Sequence, residues 1–117
     1  AETLGETLGY GVIITDLDSI ISVSKLPKKD YKEKSISKEL EQLIENRETK
    51  EIKDENKIPL YKEDSNSYSE QMIMPIISVS GDCIGSIVIV AKENEKLQEG
   101  IDKILKVACS FLGKQVQ

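Results

Sequence analysis

The chain has 117 residues, 38% hydrophobic and 32% charged, with 21 acidic against 16 basic side chains and a net charge of −5. That length fits one domain around a single core, and no apolar run approaches the roughly 20 residues that span a bilayer. The acidic balance argues against phosphate binding across a basic face, and the absence of histidine removes His-based triads, His-ligated zinc and His phosphorelay together.

The opening Ala1-Glu2-Thr3-Leu4 is polar and acidic, unlike a signal peptide. Lacking an initial Met, the chain reads as a fragment of a longer protein. Cys83 and Cys109 are too few for a disulfide framework and fit a reducing, cytoplasmic setting. With no Trp and 4% aromatics, a base-stacking platform is not expected.

Leu4 and Leu8 stand at helical spacing, with Gly5 weakening that helix and Gly9 and Gly11 ending it. The segment reads as the tail of a longer helix. Gly11 to Asp16 and Ile20 to Ser24 are β-branched runs around Asp16-Leu17-Asp18-Ser19, a turn whose carboxylates bond nearby amides. They predict a first hairpin. A basic loop follows, with Lys25, Lys28, Lys29, Lys32 and Lys34. Ser35 or Ser37 then caps a helix with the apolar stripe Ile36, Leu40, Leu43 and Ile44, stopping at Asn46.

Between residues 47 and 68 the pattern fades. Glu51 to Lys53 and Lys57 to Tyr61 read as short edge strands, the second blunted by Pro59, and Glu63 to Ser69 as a mobile polar loop. Two dense runs then predict a long hairpin, Met72 to Val79 and Ile84 to Ala91, turning at Ser80-Gly81-Asp82. Pro75 belongs at a strand start or an unpaired edge, and Gly85 at a bulge or a close backbone approach. Asn94 is expected to cap a last helix reaching nearly to Gln117. Ile101, Ile104, Leu105, Ala108 and Leu112 could cover a sheet, which leaves Leu97, Val107 and Phe111 in need of another partner. The N-terminal helix and a second subunit are the candidates; together they would make a bundle across a two-fold axis.

Few residues suggest chemistry. Asp16-x-Asp18 has the start of a calcium loop, but Ile20 and Ile21 stand where the EF-hand needs an oxygen ligand and glycine. The lysine loop is interrupted by Asp30 and Glu33 and reads as solvated. Cys83 has no evident cation to activate it, and Cys109 reads as packing. Met72 and Met74 alternate as core fillers, and Tyr31, Tyr61 and Tyr68 offer hydroxyls beside one sheet face. No catalytic residue, metal site or cofactor is assigned, and the chain is not expected to be an enzyme.

Pro75-Ile76, Gly81-Asp82 and Ile84-Gly85-Ser86-Ile87-Val88-Ile89 resemble the signature of GAF domains, relatives of PAS domains. A likeness over nearly the whole chain rests on more segments. They are Leu8-Gly9, Val23-Ser24, Lys28-Lys29-Asp30-Tyr31, Lys34-Ser35-Ile36-Ser37, Asn66-Ser67-Tyr68 and Phe111-Leu112-Gly113-Lys114-Gln115, besides those of the hairpin. These resemble the C-terminal domains of the stage V sporulation protein T family, AbrB-type transcription regulators of endospore-forming bacteria.

The expectation is therefore an α+β, GAF/PAS-like fold: a central antiparallel sheet flanked by helices on both faces, with terminal helices forming a dimeric bundle. Residues 1–117 would be a single regulatory domain. The resemblance implies that DNA is bound only by an N-terminal domain outside this chain, and that the full-length protein is a tetramer. Candidate positions for a small ligand are Ser22, Ser24, Tyr31, Ile36, Leu40 and Met74. Candidate dimer-interface positions are Leu4, Leu8, Leu97, Ile104, Val107 and Phe111. The alternatives are an oligomerisation module without a ligand and, from another class, a methionine sulfoxide reductase, which in GAF-like domains uses several cysteines.

Overall fold

The Ile- and Val-rich runs pair into one sheet, as branched side chains on a pleated surface favour. The computed structural model describes residues 9–53, 57–64, 66, 68–92 and 95–115. Over these the chain is an α+β fold of five antiparallel strands and three helices. The strands are β1 (Gly11–Thr15), β2 (Ile20–Ser24), β3 (Lys50–Ile52), β4 (Glu70–Ile77) and β5 (Cys83–Ala91), in the order β2-β1-β5-β4-β3. The helices are α1 (Lys28–Tyr31), α2 (Lys38–Glu45) and α3 (Ile101–Gln115).

Both hairpins turn by the chemistry their residues dictate. Asp16 Oδ1 accepts from the amides of Asp18 at 2.8 Å and Ser19 at 2.7 Å, closing the β1–β2 turn. Between β4 and β5 the Ser78 amide donates to the Asp82 carbonyl at 2.8 Å, and Gly81 takes φ 95°, which a residue without Cβ adopts at little cost. The β4–β5 register then slips. Ile76 faces Gly85 but Ile77 faces Cys83, so Ile84 is the extra residue of a bulge. A Cβ on Gly85 would overlap the Thr15 carbonyl oxygen. The glycine therefore serves both a bulge and a close approach.

Pro75 is not at a strand start; it lies within β4, opposite Ser86. Its tolerance there has a local cause. β3 pairs with β4 only at Gln71, Met72 and Ile73, so at Pro75 the outer side of β4 has no neighbouring strand among the described residues.

Alternation sorts the sheet residues into two cores. Val12, Met72, Met74, Ile76, Ile87 and Ile89 pack with Ile101, Leu105 and Cys109 of α3. Ile13, Val23, Ile73, Val88 and Val90 pack with Tyr31 of α1 and with Leu40 and Ile44 of α2. Ser37 caps α2, its Oγ accepting from the Leu40 amide at 3.1 Å while donating to the Pro59 carbonyl.

Three expectations need correction. The basic loop contains a one-turn helix, α1. Lys57 to Tyr61 is not a strand; only an isolated bridge joins Tyr61 to Ile36. The last helix begins at Ile101 behind Gly100, whose φ is 88°, and not near Asn94, which lies outside the described residues. Tyr10 replaces helix formation in the preceding segment. Its hydroxyl donates to the Lys96 carbonyl at 2.8 Å and accepts from the Gln98 amide at 3.0 Å. Glu70 Oε1 takes the Leu97 amide at 2.7 Å, so three backbone groups of residues 96–98 are satisfied by side chains from distant parts of the chain.

Candidate functional site

On the α1–α2 side of the sheet, three tyrosines converge on one carboxylate. Tyr31, at the end of α1, lies 2.6 Å hydroxyl to hydroxyl from Tyr68, whose own hydroxyl donates to Asp64 Oδ2 at 2.9 Å. Because Tyr68 spends its proton on the carboxylate, Tyr31 must be the donor to Tyr68. Asp64 also accepts from the Leu60 amide at 3.0 Å, the Asn66 amide at 2.9 Å and Asn66 Nδ2 at 2.8 Å. Asn66 Nδ2 reaches the Tyr61 hydroxyl at 3.0 Å, and the Tyr61 ring meets Tyr31 edge-on at 5.3 Å.

Electrostatics make this network neutral apart from Asp64. Burial pushes the Tyr31 hydroxyl up to about 12, and the Asp64 charge adds to that. Burial also drives Tyr68 upward, helped by its bond to Tyr31 and by Asp64. Tyr61 moves the same way through burial and Asp64. None of the three is a phenolate near neutral pH, so the cluster supplies oriented hydroxyls and no nucleophile. Nearby, Gln71 acts like a stretch of backbone: its Oε1 accepts from the Ile58 amide at 3.0 Å and its Nε2 donates to the Ile58 carbonyl at 2.8 Å. Asp64 thus ties Leu60, Asn66 and Tyr68 together, and Gln71 holds Ile58 beside the α2-side core.

Asp64, Asn66 and Gln71 escaped sequence reading. The one available signal was compositional: Asp and Asn are turn formers that bond local amides, and Asn66 and Tyr68 belong to a segment carrying the family likeness.

The six candidate ligand positions divide between the two cores. Tyr31, Ile36 and Leu40 are buried in the α1–α2 cluster. Met74 is in the α3 cluster, and Ser22 and Ser24 stand on that same side, opposite Ile14 and Val12. The intervening sheet prevents all six from lining one pocket. Open grooves of about 500, 350 and 620 Å³ lie among the described residues, and none of the six lines them. The 350 Å³ groove touches the tyrosine network through Asp64, Asn66 and Tyr68.

Of the interface candidates, Leu97 is 7% exposed and belongs to the α3-side core of the chain itself. Ile104, Val107 and Phe111 are 46%, 70% and 61% exposed. Their spacing puts them on one stripe of α3, away from buried Ile101, Leu105 and Cys109. Ile104 thus does not cover the sheet as its helical position had suggested. Leu4 and Leu8 lie outside the described residues.

The model of the family described as "Stage V sporulation protein T C-terminal, transcription factor" matches residues 1–117. The chain belongs to that family. It is also 37% identical over 120 residues to stage V sporulation protein T of Bacillus subtilis (strain 168), an alignment covering 100% of this chain. The chain spans 65% of the length of that relative. Family membership supports a regulatory role, in a class defined by transcription and not by catalysis. Two segments that carry the family likeness meet in space, for Tyr31 and Tyr68 are the hydrogen-bonded pair at the centre of the network. No helix among the described residues is long and apolar enough to cross a membrane.

Proposed function

We infer that this is a GAF-like regulatory domain, a sheet with a helical layer on each face, which pairs with a second copy through α3. It would pass a developmental or small-ligand state to an upstream DNA-binding domain of a cytoplasmic, tetrameric regulator. The exposed stripe Ile104, Val107 and Phe111 carries this reading. A helix apolar on two sides asks for two burial partners, and the sheet supplies one.

Magnitudes decide how much that stripe can do. Full burial of such side chains is worth about 1.5–3 kcal/mol each, against an association cost of roughly 4–15 kcal/mol. Three side chains per copy approach that cost without clearly exceeding it. The dimer therefore needs further area, and Leu4 and Leu8, which lie outside the described residues, are the proposed further interface positions. State then reaches the DNA-binding domain because a ligand favouring one arrangement of the bundle shifts its population.

Sedimentation of the chain with Phe111→Asp tests the pairing. The substituted site is exposed, so the fold should persist while the dimer dissociates. An unchanged sedimentation profile would place the interface elsewhere.

A second reading, an oligomerisation module without a ligand, is favoured by the filling of the α1–α2 core, where Tyr31 is 2% and Leu40 0% exposed. Scanning fluorimetry against metabolite and nucleotide libraries separates the two. A stabilising compound whose effect is lost in Tyr31→Phe supports sensing, and none across the screen supports the module.

A further inference from the structure

β3 is an outer strand of the sheet with no strand beyond it among the described residues, and an open groove flanks it on each face. On the α2 side the groove, about 500 Å³, has an apolar floor of Leu43, Ile52 and Ile58 beneath Glu39 and Glu48. On the α3 side the groove, about 620 Å³, has Met72 and Leu97 beneath Glu99 and Asp102. Glu51 borders both. Against these five carboxylates stand Lys50 and Lys53, and Lys53 already lies 3.6 Å from Glu51. No ion pair among the described residues engages Glu39, Glu48, Glu99 or Asp102.

The register makes the two grooves one surface. Ile52 pairs with Gln71 and Glu51 with Met72, so successive β3 side chains point to opposite grooves. A strand laid against β3 would likewise send alternate side chains into both. An apolar floor under an acidic rim suits long cationic side chains, whose stems cover the floor while their heads reach the carboxylates. A second copy of β3 is a poor occupant, since a three-residue edge with mixed charges is a device against self-pairing.

We propose that the β3 edge and its two acidic grooves form a docking site for an extended polypeptide segment rich in lysine or arginine, bound by strand addition. Main-chain bonds to β3 would set its direction, and the grooves would select positive charge on both of its faces. Ile104, Val107 and Phe111 line neither groove, and the site does not require dimerisation.

The test uses the 117-residue chain and a fluorescein-labelled octapeptide of alternating Lys-Lys and Val-Val pairs, so that each face carries both residues. Saturable anisotropy is expected, with slowed amide exchange confined to Thr49–Lys53 and the facing peptide. Glu51→Lys with Glu99→Lys, both on exposed or rim positions, should weaken binding about tenfold. N-methylating every peptide residue should abolish binding, because whichever edge of the added strand faces β3 then lacks its amide donors. Absence of binding, undiminished binding of the fully methylated peptide, or protection outside Thr49–Lys53 would each overturn the proposal. Repeating the titration with Phe111→Asp keeps it independent of pairing through α3: retained affinity is expected, and its loss would mean the two surfaces are not separate.

Discussion

Gly113 of α3 faces the carbonyl of Ile77 so closely that a Cβ at Gly113 would overlap the oxygen. Helix and strand thus meet backbone to backbone at the end of β4, where the hairpin turn begins. At an open helical site, glycine to alanine gains up to about 1 kcal/mol. Here the added methyl has only main chain to displace, so overpacking should win and cost about 1–3 kcal/mol. Urea unfolding of Gly113→Ala should show a lowered midpoint. A raised midpoint would mean that α3 does not seat against Ile77 in solution.

Gly85 shows why one such contact was legible in sequence and the other was not. Gly85 interrupts a run of strand formers just after a turn, where period and composition both mark it as anomalous. Gly113 sits in a helix beside a family-like Lys-Gln ending, with nothing in its neighbours to reveal an approaching carbonyl. The same distinction holds across the fold. Branched runs and the turns at Asp16 and Gly81 declare the hairpins, and Ser37 declares α2, because each depends on residues within a few positions. Ile58, Leu60, Asn66 and Tyr68 are fixed by Asp64 and Gln71, and residues 96 to 98 by Tyr10 and Glu70. Those bonds join segments up to 88 residues apart and leave no periodic trace. The split of the candidate ligand positions has the same origin, since the strand parity of Met74 was readable but its alignment with Tyr31 across the sheet was not.

The tyrosine network should report on itself in alkali. Tyr31 ordinarily titrates near 10 and is pushed up to about 12 by burial. Between those values the unfolded chain releases a proton that the folded chain keeps. Stability contributed by the protonated Tyr31 is therefore full below pH 10 and is lost as pH rises toward 12. Tyr31→Phe should lower stability at pH 7 by about 0.5–1.5 kcal/mol, the net worth of one hydrogen bond. It should also flatten the fall in melting temperature above pH 10. An equally steep fall in the variant would assign the alkaline loss to other groups.

Tyr68→Phe should cost more than Tyr31→Phe, because it strips a donor from a carboxylate and leaves Tyr31 without its acceptor. A half-satisfied buried group costs about 1–3 kcal/mol. The double variant should then be less destabilised than the sum of the singles, since the pair acts as one unit. Chemical denaturation of the four proteins gives the coupling. Additive losses would show that Tyr31 and Tyr68 do not share a bond.

Leu97 and Val107, grouped together by sequence as interface residues, should behave oppositely. Leu97 is 7% exposed within the α3-side core, whereas Val107 is 70% exposed. Leu97→Ala should cost about 2–5 kcal/mol in unfolding free energy, at any protein concentration. Val107→Ala should change the monomer by no more than about 0.5 kcal/mol. Its effect on a dimer would appear only as a concentration-dependent shift in melting temperature. Denaturation over a hundredfold concentration range separates these cases, and a concentration-independent loss in Val107→Ala would contradict its exposure.

The two thiols offer a sharper contrast, since they are on opposite sides of the sheet. Cys109 is 6% exposed and its Sγ points to the Met74 carbonyl at 3.7 Å. Burial, with a smaller contribution from Cys83, pushes its thiol up to about 12, so almost no thiolate exists at pH 8. Cys83 is half-buried at the start of β5. An aromatic disulfide reagent at pH 8 should therefore modify one thiol per folded chain quickly and the second only on unfolding. Cys83→Ser should abolish the fast phase and Cys109→Ser should leave it intact. If Cys109 instead reacted in the native protein at a comparable rate, α3 would have to lift from β4, and the Gly113–Ile77 contact would have to open with it.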